Sequence, residues 1–205
     1  MNPPGSLLEC PGWFGKIPSL GDFATRRLPP SFVEPWDEWL SAELSAARLV
    51  LADAWSATYA GAPIACFSLG AGTVDDHAWL GILVPSFDRV GRQFPLTLAL
   101  QPRQATAAMQ RHEWAALVAA ANRALAPACG AAGVDEALAV FSAHRPEPVH
   151  CAASSAARVV PAPADPGAGT SAWWHWSAAQ AADAVPDIVS GLPRGERFRR
   201  LLGAR

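Results

Sequence analysis

Apolar and polar positions along this 205-residue chain follow two different periods, and each change of period marks an element. Phe32, Trp36, Trp39, Leu40, Leu44, Ala47 and Leu51 recur mainly at steps of three and four, which puts them on one face of a long helix. Pro29-Pro30 opens that helix. Pro30 and Ser31 suit its first turn, and Pro35 either fits the early turns or kinks them. Residues 64–69, 79–84 and 94–100 are short, almost wholly apolar runs, the pattern of buried strands. Their short links predict antiparallel pairing, because parallel pairs need long crossovers. Residues 13–18 read as a further strand, followed by a turn at 19–23 that Gly21 and Asp22 punctuate.

Towards the C-terminus, Ala-rich segments at 111–126 and 134–141 predict two closely packed helices. A Pro/Ala/Gly stretch at 161–169 reads as a mobile loop, flexible to about residue 171. Residues 172–176 return as a strand, and 196–202 as a short terminal helix. Adjacent indoles at Trp173 and Trp174 point to opposite faces of that strand. One is expected in the core, the other covering a helix or meeting a partner. The element order predicts an α/β protein, with a mostly antiparallel central sheet flanked by helices in a single compact domain.

Composition narrows the class. Hydrophobic residues make up 51% and charged residues 17%, far from the signature of disorder. Mean hydropathy is +0.13, yet no apolar run approaches the roughly 18 residues of a membrane span. The N-terminus lacks the basic-then-apolar pattern of a secretory signal, so a cytoplasmic location is expected. A formal net charge of -2 carries no basic footprint, and no nucleic-acid partner is expected. Cys10, Cys66, Cys129 and Cys151 are scattered without a CxxC and read as reduced structural thiols.

Chemistry concentrates between Leu80 and Leu98. Apolar runs enclose Ser86-Phe87-Asp88-Arg89-Val90-Gly91-Arg92, a short charged turn of the kind that displays side chains on a rigid scaffold. Three readings stay open. In one, Asp88 caps the turn and the two Arg hold the loop. In another, Ser86, Asp88, Arg89 and Arg92 form an exposed partner-binding cluster. Lys16, Ser19 and Asp22 then adjoin it, because both segments lie at strand ends. In the third, Ser86 and Asp88 serve a hydrolase with a histidine such as His77, although no GxSxG elbow surrounds Ser86. Gly15, Gly21 and Gly91 read as turn glycines.

Other patterns are weaker. Asp75-Asp76-His77 reads as a solvated loop, since adjacent residues rarely converge on one ion. His112, His144, His150 and His175 show no ligand spacing, and no metal is expected. Gly70-Ala71-Gly72 belongs to no nucleotide-binding motif, and neither cofactor nor small-molecule substrate is expected.

Four ordered segments resemble one family. They are Trp13-Phe14-Gly15-Lys16-Ile17-Pro18-Ser19-Leu20-Gly21-Asp22-Phe23, Phe32-Val33-Glu34-Pro35-Trp36-Asp37-Glu38-Trp39-Leu40, Pro85-Ser86-Phe87-Asp88-Arg89-Val90-Gly91-Arg92-Gln93-Phe94-Pro95-Leu96, and Trp173-Trp174 with Gly191-Leu192-Pro193. The chain from about Gly12 to Leu202 thereby resembles the TagF family of type VI secretion system-associated proteins. Phe87 departs from the family pattern, where a smaller apolar residue is expected, and residues 126–169 carry no family motif.

The resemblance implies a cytoplasmic, non-enzymatic regulator. Such proteins repress assembly or firing of the contractile apparatus after translation, by engaging its forkhead-associated scaffold protein and opposing a threonine-phosphorylation pathway. Some relatives carry a fused phosphatase domain, for which 205 residues leave no room. The alternatives are the hydrolase above and a structural accessory subunit of the apparatus.

Overall fold

A computed structural model describes residues 10–102, 111–143, 166–176 and 185–204. His144, His150, Cys151 and the Pro/Ala/Gly stretch at 161–165 lie outside the described residues. The first elements are β1 (Gly12–Gly15), β2 (Ala24–Arg26), α1 (Pro30–Leu51) and α2 (Trp55–Ala60). A meander follows: β3 (Ala65–Leu69), β4 (Trp79–Val84) and β5 (Leu96–Leu100). Then come α3 (Arg111–Ala124), α4 (Ala131–Ala143), β6 (Thr170–His175), β7 (Asp187–Ser190) and α5 (Glu196–Leu201).

All seven strands join one sheet in the order β2-β1-β5-β4-β3-β6-β7. Every pair of neighbouring strands is antiparallel. The α/β class with an antiparallel sheet and flanking helices is therefore the observed one. Alternation along the strands divides two cores. Phe14, Phe67, Leu83 and Trp173 face α1, α2 and α5. Trp13, Ile82, Leu98 and Trp174 face α3 and α4. Trp173 and Trp174 do point to opposite faces, and both are buried, so neither indole is left for a partner.

The α1 helix buries Phe32, Trp36, Trp39, Leu40, Leu44 and Ala47, while Leu51 packs only partly. The helix continues through Pro35, which gives up only the donor that would reach Ser31. Trp36 sits at its centre, 4.8–6.1 Å between ring centroids from Trp39, Phe67 and Trp173 and 5.1 Å from Phe32. Its Nε1 donates to Thr97 Oγ1 at 2.9 Å, which satisfies two buried polar atoms at once.

The C-terminal segment docks on α1 in the same way. Trp39 Nε1 donates to the Pro193 carbonyl, and the Gly195 N–H donates to Glu43 Oε2. Thr170 and Ser171 belong to β6, so the flexible loop expected through residue 171 ends before them. Strands β2 and β7 and helix α2 have no counterpart in the sequence-based expectation. Each is six residues or fewer and too short to show a period. No helix among the described residues is long and apolar enough to cross a membrane.

Gly81 is where the sheet leaves room for a neighbouring ring. A Cβ there would lie 2.4 Å from Phe67 Cζ and 2.3 Å from the Leu98 carbonyl oxygen. Gly81→Ala should cost about 1–3 kcal/mol and lower the melting temperature by several degrees. Thermal unfolding followed by circular dichroism checks this; a melt coincident with wild type would contradict it.

Candidate functional site

Sheet register brings the ends of three strands together. Gly15 at the end of β1 lies opposite Leu96, and Leu96 lies opposite Val84 at the end of β4. The loop after β1 and the loop between β4 and β5 therefore leave the sheet side by side. Gly15 makes this approach possible: its φ is +133°, and a Cβ would fall 2.1 Å from the Pro95 carbonyl oxygen.

Asp88 ties the two loops. Its Oδ2 accepts from Lys16 Nζ at 2.9 Å and from Arg92 Nε at 2.6 Å. Its Oδ1 accepts the backbone N–H of Val90 at 3.1 Å and of Arg92 at 2.9 Å. Gly91, at φ +84°, supplies the left-handed residue of this turn. Arg92 Nη2 continues to the Gly21 carbonyl at 2.6 Å, and the Arg89 N–H donates to the Leu20 carbonyl at 2.9 Å.

The expected exposed cluster is not what forms. Ser86 and Asp88 are fully buried and Lys16 is 5% exposed. The reason is pairing: a carboxylate with four donors can leave water, and its lysine leaves with it. Arg89 and Arg92 stay at the surface. Ser19 and Asp22 adjoin the loop but turn elsewhere. Ser19 Oγ donates to the Cys129 carbonyl, and Asp22 Oδ1 accepts the Phe23 N–H. Gly21 has no left-handed backbone, and a Cβ there would make only ordinary contact, 3.6 Å from Arg89 Nη2. Its carbonyl is what the site uses.

Tyr59 is a member that sequence reasoning missed. Its hydroxyl donates to the Ser86 carbonyl at 2.8 Å and accepts the Ser86 N–H at 3.2 Å. Burial pushes its phenol well above the ordinary range, so it serves as a neutral bracket. No motif announces it, because it comes from the short α2.

Ser86 Oγ donates to the Lys16 carbonyl at 2.6 Å. His77 lies before β4 and Ser86 after it, so a strand rise of about 3.3 Å per residue separates them by on the order of 20 Å. They form no dyad. His77 instead approaches Asp75, whose carboxylate also accepts from Trp79 Nε1 and Ser31 Oγ. Among the described residues no group of three or more His, Cys, Asp or Glu converges on a metal position.

Two loops in fixed relation at one end of a helix-covered antiparallel sheet, tied by the pairing of Asp88 with Lys16 and Arg92, define an α/β scaffold domain that presents loops. Its family follows from comparison with known proteins. The chain belongs to the TagF N-terminal domain family, which is type VI secretion system-associated; the family model matches residues 12–140. It is similar to the crystal structure of PA0076 from Pseudomonas aeruginosa PAO1, solved at 2.05 Å resolution. Sequence identity is 30% and the TM-score 0.72, over 94% of this chain and 93% of that one. No curated protein matches the chain.

Burial by itself would raise the Asp88 carboxyl. The Lys16 ammonium, the Arg92 N–H and guanidinium and the Val90 N–H outweigh it and hold the carboxyl well below the usual carboxylate range. Because the folded value is depressed, the stabilisation is complete above the ordinary value of 3.8 and is lost as pH falls below it. Asp88→Asn should lower the melting temperature by on the order of 10 °C at pH 7, since Lys16 stays buried without its anion. The gap to wild type should narrow below pH 4 or so. Melting curves across pH check this; equal stability at pH 7, or a gap that widens in acid, contradicts it.

Proposed function

We propose that this protein is a cytoplasmic, non-enzymatic repressor of type VI secretion that acts after translation by binding the forkhead-associated scaffold of the apparatus. Membership of the TagF N-terminal domain family carries the reading. The site supports binding over turnover. The hydroxyl of Ser86 and the carboxylate of Asp88 are buried and committed to hydrogen bonds inside the protein, which leaves them no path to a substrate. What the loops offer outward is surface.

Export of the apparatus's tube protein into culture medium tests this. Deletion of the gene should raise export, overexpression should lower it, and the purified chain should capture the purified scaffold. Lost export on deletion would make the protein an activating or structural component. Unchanged export in both strains would remove the regulatory reading.

A further inference from the structure

Beside the network around Asp88, several side chains keep apolar surface exposed. Phe87 stands between Ser86 and Asp88, which both point into the protein. Alternation along an extended segment turns the Phe87 ring the other way, and it is 51% exposed. Val90, in the turn, is 69% exposed, and Phe23 on the facing loop is 45% exposed. A lone exposed apolar residue is ordinary. Here three of them stand on two loops that direct hydrogen bonds join.

Charge at this surface has one sign in excess. The buried Lys16 and Asp88 offset one another, which leaves Arg89 and Arg92 outside against Asp22 alone, whereas the whole chain carries -2. Asp88 is shared between Lys16 and Arg92. Arg89 is exposed, and among the described residues its side chain has no carboxylate partner. Its guanidinium lies beside Gly21, between the two loops. An unpaired arginine on loops that also expose aromatic and aliphatic side chains has the composition of an interface hot spot. The buried ion pair also orders both loops in advance, so a partner meets a surface already shaped.

We propose that this loop pair docks an acidic segment of a partner protein. Arg89 takes a carboxylate of that segment, and Phe87, Val90 and Phe23 cover an apolar side chain next to it. The proposal rests on the binding reading above and gives the chemistry of the partner at this site. One unpaired arginine in an acidic chain fits a local carboxylate better than the continuous phosphates of a nucleic acid.

The test uses the purified full chain and a soluble random copolymer of glutamate and tyrosine, which carries both features. Polyglutamate and anionic phosphatidylglycerol vesicles are the comparisons. Amide shifts in the NMR spectrum should move at Phe23 and at 87–92, and binding should weaken as salt is added. Arg89→Glu and, separately, Phe87→Ala should each weaken copolymer binding by about tenfold or more. Arg197→Glu, at the other edge of the sheet, should leave it unchanged. No shift at these residues, equal binding by Arg89→Glu, or preference for the vesicles would overturn the proposal. The scaffold is titrated in parallel. Copolymer binding at this surface without scaffold binding would remove the partner named above while leaving the acidic-segment proposal standing. Scaffold binding that ignores Arg89→Glu and Phe87→Ala would do the reverse.

Discussion

One buried carboxylate sets the arrangement of the end of the sheet where the segments 13–23 and 85–96 meet. Asp88 loses its water, and four donors replace it: the Lys16 ammonium, the Arg92 guanidinium and two backbone N–H groups of its own turn. The turn contacts are local, while the Lys16 contact closes a span of 72 residues. A charge so placed is tolerated only when every lone pair finds a partner, so the position of one loop dictates that of the other. Lys16 also lies over the Phe23 ring, 4.8 Å from its centroid, and Phe23 packs against Phe94 and Phe14. Polar and aromatic contacts therefore converge on the same two loops.

Away from this end, the sheet solves a different problem with the same economy. Nine tryptophans are a large polar burden for a core, since each indole brings an N–H. Trp13, Trp36, Trp39, Trp55, Trp79 and Trp173 each donate to an acceptor within the protein. These acceptors lie in distant segments for Trp13, Trp36, Trp39 and Trp55, so the indoles stitch helices to strands and to the C-terminal Gly191-Leu192-Pro193 segment. Ser171 links that segment to the sheet again: its Oγ accepts from Trp173 and donates to the Gly191 carbonyl. The C-terminal motif is thus part of the α1 face of the core, which accounts for a structural match that extends well past residue 140.

Long apolar periods were legible in the sequence. The face of α1 and the three meander strands read directly, because each buries nearly every apolar side chain that defines its period. Strand β2 was not legible: in Ala24-Thr25-Arg26 only Ala24 is even half-buried, and pairing with β1 makes it a strand. At the site, the right residues stood out but their exposure did not. Asp88 and Lys16 look like surface charges until the fold brings them within 2.9 Å. A local signal did exist. Asp followed three residues later by Gly suits a turn in which the carboxylate accepts N–H groups ahead of it, and that turn is what buries Asp88.

The arrangement of this end of the sheet depends on the Asp88 network holding the loops together in solution. Hydrogen exchange at the Val90 and Arg92 amides measures this directly, because both donate to Asp88 Oδ1. In wild type they should be protected far beyond ordinary turn amides. In Lys16→Met that protection should fall while amides in β3, β4 and β5 keep theirs. Free exchange of both amides in wild type would show that the carboxylate does not bind the loops together and would contradict the account at its centre.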